Sequence, residues 1–405
     1  MRMRNTQTLP PVGVPVLGEL LTIVRDSLCD DWHEQWCVGC RRTFFARRVT
    51  DVCAAASCAT ARRSLCARRI PVRPDTLWNR LRDHFVAHGF APVRQDNVIS
   101  PTGETMFMSA ALQVLDPVVH AGAPAPKEPY IVAQPVIRLN CAPQMGLEAG
   151  FSTSFVNVAT EEVVDCAGNY ARHLHAWLRA FRAIGLDEKR LSLIAEPIRF
   201  RGGLHEGNYL VFDHGGIELG EGIYIDTLRT RPLLRVLDFG FGLERLLWAV
   251  NGTPTYYDNF GPLTARAQRR YRLIDAARTT VLLASTGIKP GHRSHGYRLR
   301  WSIGRLRASL GNADPAPLLR HAFDEWSAFV DMPLSGNECV VVAELHRQTN
   351  LELCRRLEIR PSADVQMDPE SFCQTLIARG VPLVALLGTG GDTGSDDGDG
   401  GGRYG

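Results

Sequence analysis

Three stretches of this chain carry residue types that could act on a phosphorylated substrate. The run Val236-Leu237-Asp238-Phe239-Gly240-Phe241-Gly242-Leu243-Glu244-Arg245 passes from apolar residues through an acid to glycines two apart, then opens a helix. Glycines at a strand-to-helix turn let a ligand approach the backbone closely. Arg245 on the first helical turn offers a permanently charged planar fork to a phosphate. About a hundred residues upstream, Ile131 to Ile137 reads as a strand ending in Arg138, with a loop over 139–150 and a return strand Phe151 to Val158. Such a hairpin can grip a nucleotide, with Arg138 on the α-phosphate and Phe155 stacked on the base. An ordinary hairpin with a surface arginine satisfies the same pattern.

The third stretch is Cys37-x2-Cys40, twelve intervening residues, then Cys53-x4-Cys58. Two such pairs have the form of a tetrahedral Zn²⁺ site. Phe44 and Phe45 between them supply a small core, and Cys29, His33 and Cys66 are spare ligands. Cysteines scattered along an Ala-rich helix are the competing reading. Arg41, Arg42, Arg47, Arg48, Arg62 and Arg63 surround the site, so a finger here can meet RNA phosphates. A purely structural module fits as well. Cys141, Cys166, Cys339, Cys354 and Cys373 read as buried or incidental thiols.

The elements that must position these residues follow from apolar spacing. Leu77, Trp78, Leu81 and Phe85 recur at helical spacing over 75–87, and Tyr170, Leu174, Trp177, Leu178 and Phe181 do so over 168–185. Strands are expected at 104–110, 130–139, 151–158, 191–199, 208–213, 217–226 and 233–239. Helices dominate afterwards, over 243–251, 262–286, 294–310 and 315–330. Strands first and helices later make an α+β pattern with a helical appendage. The expected division is 1–70 as a Cys- and Arg-rich segment, 71–253 as a catalytic domain, 254–387 as a helical domain and 388–405 as a disordered Gly/Asp tail.

A net charge of +3 conceals two basic blocks, 41–82 and 266–307, which suit a nucleic-acid partner or solvated helix faces. No apolar run reaches the length of a bilayer span and no signal peptide is apparent, so a cytoplasmic protein without a membrane partner is expected.

Taken together, the motifs resemble class II aminoacyl-tRNA synthetases, and in detail the alanyl-tRNA synthetase catalytic core. Gln134 to Arg138 with Gly150 to Phe155 resembles motif 2, and Asp238 to Leu246 resembles motif 3. Phe85 to Phe90 and Thr105 to Ala110 resemble the helix and strand of motif 1. The resemblance implies an antiparallel sheet flanked by helices and a site for ATP, Mg²⁺ and an amino acid. Arg138 and Arg245 become the catalytic arginines, and Phe155, Gly240 and Gly242 complete the ATP site. Asp238 receives the substrate ammonium, while Glu218 and Asp226 are candidates for Mg²⁺ or amino-group contact. Gly220 stands where the family carries a Trp that walls the alanine pocket, which implies a wider pocket and a substrate larger than alanine.

Downstream, Asp275-Ala276-Ala277-Arg278 and the stretch to Arg300 resemble the family's tRNA-binding helices, with His292, Arg293, Arg298 and Arg300 as tRNA-contacting residues. The loop after Arg138 offers Asn140 and Gln144 where the family has Lys and His, and Val342 to Arg347 lacks the family's Asp-containing segment. The chain reads as a truncated relative without an editing domain. Three functions follow from the resemblance: an ATP-dependent ligase charging tRNA, a ligase passing the amino acid to a small molecule or carrier protein, or a non-catalytic tRNA-binding paralogue. A homodimer is compatible with each.

Overall fold

The computed structural model describes residues 17–29, 31–58, 70–95, 97–103, 105–144, 150–165, 167–200, 205–228, 234–260, 268–311, 314–330, 334–382 and 386. Helix α1 (Leu17–Ser27) leads into a hairpin of β1 (His33–Trp36) and β2 (Thr43–Ala46). Next come α2 (Pro74–Ala87), the short β3 (Ala91–Pro92), a tight helical turn Ala111–Leu115, α3 (Asp116–Ala121), β4 (Tyr130–Ile137) and β5 (Ser154–Val164). Helix α4 (Tyr170–Ile184) precedes a meander of β6 (Leu191–Phe200), β7 (His205–His214), β8 (Glu218–Leu228) and β9 (Arg235–Gly242). Helices α5 (Leu243–Asn251), α6 (Gln268–Ser285), α7 (Ser294–Leu310), α8 (Ala316–Trp326), α9 (Leu334–Arg356) and α10 (Pro369–Ala378) complete the described chain.

Among the described residues, nine strands form one sheet in the order β1-β2-β6-β7-β8-β9-β5-β4-β3. Every pairing is antiparallel except β3 with β4. The fold is α+β, as the order of strands and helices implied. Alternation along the strands gives the sheet two different faces. Phe239 and Phe241 of β9 pack with Tyr170, Trp177 and Phe181 of α4, all buried in the main core. The opposite face carries Val132, Ala159, Ile223, Ile225 and Val236 beneath the Ala111–Leu115 turn and α3.

One expectation changes. Of the strand expected at 104–110, the described residues 105–110 form none, and among them only Phe107 bridges to Ile99. The Gln113 side-chain oxygen accepts the backbone N–H groups of Ser109, at 2.6 Å, and Ala110, at 3.3 Å, bending the chain into the helical turn. The β1–β2 hairpin that carries the first cysteine pair joins the sheet, because β2 pairs with β6. Among the described residues no helix is long and apolar enough to cross a membrane.

Candidate active site

A cleft of about 300 Å³ opens on the α3 face of the sheet, between the β4–β5 hairpin and the β9–α5 turn. Its lining includes Arg138, Phe155, Glu218, Gly220, Asp238, Gly240, Gly242 and Arg245. The structure therefore brings together, from three strands, the turn after β4 and a helix, every residue expected at the ATP and amino-acid site except Asp226. That residue lies on β8 with its side chain outside the described set.

Each arginine is held in place. Arg138 follows β4, donates from Nε to the Ser109 carbonyl at 2.7 Å, and lies 5.0 Å from the ring centre of Phe155. Arg245 donates from Nε to the Gly150 carbonyl at 3.1 Å and lies 5.7 Å from the Phe151 ring. Its Nη1 donates to the Glu218 carbonyl at 3.0 Å and to Glu218 Oε1 at 2.6 Å. Gly242 lets β9 run into α5 with the Arg245 methylenes 3.6 Å from where a Cβ would project. The two guanidinium groups sense each other's charge, and burial lowers the proton affinity of Arg138.

The floor of the cleft is acidic. Asp238 is 6% exposed, and its Oδ1 has no hydrogen-bond partner among the described residues. Burial, reinforced by the negative charge of Glu221 and opposed by Arg138, raises the Asp238 carboxyl to about 7. Glu221 is raised too, chiefly by burial and then by Glu218, with Arg138 and Arg245 opposing. Beneath Asp238, fully buried Glu161 accepts a hydrogen bond from the Tyr130 hydroxyl. Burial and the charge of Asp238 push Glu161 well above the usual carboxylate range.

Glu221, Glu161 and Asn157 escaped the sequence reading. Glu221 pairs with Gly240, and Glu161 with Asp238, so all lie on the cleft face. Counting by twos from Phe155 along β5 reaches Asn157 and Glu161, which is the signal that could have found them. Asn157 Oδ1 accepts from the Ala111 N–H at 2.8 Å, and its Nδ2 donates to the Phe241 carbonyl at 3.3 Å, roofing the cleft.

Gly220 requires a correction. It pairs with Phe241, and a Cβ there would fall 2.2 Å from the Gly240 carbonyl oxygen and 2.7 Å from Phe241 Cδ1. Position 220 is thus directed at the packed face, and no indole-sized space opens there. A one-residue step along a strand exchanges faces, so the neighbour that points into the cleft is Glu221.

Outside the cleft, His292 and Arg293 are exposed at the entry to α7. Arg300 Nη1 lies 2.8 Å from His292 Nδ1, and the Arg298 guanidinium lies 5.7 Å from the Tyr297 ring. His295 approaches the Met106 carbonyl at 3.1 Å, placing this basic helix start beside the segment whose Ser109 holds Arg138. Asn140 lies in the helical turn Leu139–Gln144, and the side chain of Gln144 is outside the described set. At the other edge of the sheet, the sulfurs of Cys37, Cys40, Cys53 and Cys58 all lie within 4.8 Å of one another.

No protein-family model matches the chain. The alanine–tRNA ligase of Pyrobaculum aerophilum is 30% identical over 207 residues, covering 46% of this chain and 22% of that protein. The alanine–tRNA ligase of Methanosphaera stadtmanae is 27% identical over 245 residues, 56% of this chain and 26% of that protein. The chain spans about a quarter of the length of these curated relatives. Among solved structures, pyrrolysyl-tRNA synthetase from Desulfitobacterium hafniense aligns with 45% of this chain and 70% of its own, at 15% identity and a TM-score of 0.34. Over about half of its length the chain is thus similar in sequence to alanine–tRNA ligases.

Proposed function

We propose that the cleft binds ATP and an α-amino acid, joins them as an aminoacyl-adenylate, and passes the aminoacyl group to a tRNA. The observation that carries this reading is the convergence of Arg138 and Arg245 on one cleft whose floor presents Asp238. A carboxylate oxygen of the amino acid attacks the α-phosphorus, the bond to the bridging oxygen breaks, and pyrophosphate leaves. Negative charge shifts onto the phosphate oxygens during that displacement. Two fixed guanidinium groups stabilise it without having to reorganise.

Asp238, ionised, holds the substrate ammonium by a charge-assisted bond in a site where water competes weakly. An incoming cation also offsets the negative charge of Glu221 that helps raise the Asp238 carboxyl. Glu218 and Glu221 present oxygen donors of the kind Mg²⁺ prefers, close to both arginines. When bound there, the cation would neutralise phosphate charge. ATP phosphates would compete with Glu218 for Arg245 and free that carboxylate for the metal.

Alanine–tRNA ligase similarity and the basic start of α7 beside the cleft support tRNA as the acceptor. The test is amino-acid-dependent pyrophosphate exchange screened over the twenty common amino acids, followed by charging of total tRNA. Exchange stimulated by a small amino acid together with acid-precipitable aminoacyl-tRNA is expected. Exchange that no amino acid stimulates sinks the proposal, and adenylate formation without tRNA charging moves the acceptor to a small molecule or carrier protein.

A further inference from the structure

We propose that Cys37, Cys40, Cys53 and Cys58 hold one structural Zn²⁺ that staples the β1–β2 hairpin onto the edge of the catalytic sheet. The four thiols are free, and their sulfurs cluster within 4.8 Å. Cys40 Sγ and Cys53 Sγ are 3.8 Å apart. A tetrahedral Zn²⁺ with bonds of about 2.3 Å requires sulfur-to-sulfur edges of about 3.8 Å, so the spacing fits.

The backbone around the cluster is built for thiolates. Arg41 takes a positive φ of 56°, which folds Cys37 to Cys40 into a knuckle closed by the Arg41 N–H to the Cys37 carbonyl at 2.9 Å. The Cys53 N–H points at Cys37 Sγ at 3.3 Å, an interaction that stabilises negative charge on sulfur. Gly39 leaves room for Cys58, because a Cβ there would stand 3.3 Å from its sulfur. Four soft sulfur donors with no open position describe a closed, structural site.

The cluster has a defined target. Cys37 and Cys53 are buried with Phe44, Ala46 and Ile194 in one small core. The Ala54 N–H donates to Ser192 Oγ at 3.0 Å, and Arg42 pairs with Glu196, both on β6. From there a lateral row runs in register through Phe44, Ile194, Val211 and Glu221 to Gly240. The metal site therefore braces the same sheet face that floors the cleft, three strands away from Glu221. The β2–β6 ladder contributes three residue pairs among the described residues, and the metal would add a covalent-strength anchor beside the Arg42–Glu196 and Arg47–Glu188 ion pairs.

Metal analysis of the purified full chain tests this directly, independently of any amino-acid activation. A single equivalent of zinc is expected, lost in the Cys37→Ser/Cys53→Ser double variant and retained in Cys373→Ser. Zinc that is absent, zinc retained by the double variant, or stoichiometric iron would overturn the proposal. If the double variant is insoluble, Co²⁺ exchanged into the wild-type chain decides. Tetrahedral d–d bands with thiolate-to-cobalt charge transfer support the site, and their absence refutes it. On zinc removal, hydrogen exchange should rise over 43–46 and 191–195 while 130–137 stays protected; a uniform rise would exclude the stapling role.

Discussion

Glu161 and Asp238 sit directly opposite each other across the β5–β9 ladder, and each keeps one carboxylate oxygen without a hydrogen-bond partner among the described residues. Two buried acids so placed cannot both ionise freely. The pair is poorly suited to stability and well suited to receiving a cation.

The first prediction concerns pH. Burial, then Glu221, lifts Asp238 from 3.8 to about 7 in the folded chain. The folded state therefore keeps a proton that the unfolded state has released. Stability from this group is full below pH 3.8 and is lost as pH rises through about 7. The change is on the order of a few kcal/mol. Urea unfolding at pH 5 and pH 8 should show the wild type weaker at pH 8, with Asp238→Asn narrowing the gap. An unchanged gap would assign the effect to another group.

The same carboxyl governs substrate binding. Because the ammonium needs ionised Asp238, the KM for the amino acid should fall as pH rises through about 7. Asp238→Asn should raise that KM and flatten its pH profile while the KM for ATP moves little. A KM for ATP that rises as much would place Asp238 in the nucleotide site instead.

Arg138→Ala and Arg245→Ala should each slow pyrophosphate exchange by about 10²–10³, the usual cost of removing one charge-stabilising donor. Arg245→Lys should restore little. Arg245 reaches the Gly150 carbonyl and Glu218 from different nitrogens of one planar group, which an ammonium cannot imitate. Full activity in the lysine variant would reduce the role of Arg245 to that of a point charge.

A stability prediction rests on Arg278. It donates from Nη2 to Glu244 Oε1 at 2.7 Å and from Nε to Glu325 Oε2 at 3.0 Å, with its guanidinium 4.2 Å from the Phe260 ring centre. Glu244 is buried and also accepts the Val156 N–H. Arg278→Ala leaves that carboxylate buried without its cation, a loss of about 3–5 kcal/mol. Thermal unfolding measures it, and adding Glu244→Gln to the alanine variant should recover part of the loss.

Arg293→Ala should weaken tRNA binding and reduce the magnitude of the salt-dependence slope by about 1, as expected for loss of a phosphate contact. Filter binding across a salt series reads both. An unchanged slope would remove the exposed entry to α7 from the RNA path.

What the chain disclosed in advance depended on the range of the interactions. Strands β4, β5 and β9 and the glycine turn into α5 are written in local alternation and turn residues, so the residues of that hairpin and turn could be anticipated. The place of Glu221 could not, because face assignment along β8 turns on a single residue of register beside a β-bulge at Phe212/Asp213. The attachment of β1 and β2 was equally hidden. Four-residue strands leave little periodic signal, and their partner β6 lies about 150 residues away. The expected strand at 104–110 failed for a local reason, since Gln113 captures two backbone donors that a strand would have used.

Asp275 of α6 is buried and accepts both the backbone N–H and the hydroxyl of Thr153, each at 2.7 Å, at the start of β5. A construction that ended the protein at residue 253 would remove the acceptor on which the returning arm of the arginine hairpin rests. A fragment that keeps the cleft intact must therefore retain α6, and a designer seeking to exchange the helical half must transplant the Thr153–Asp275 junction with it.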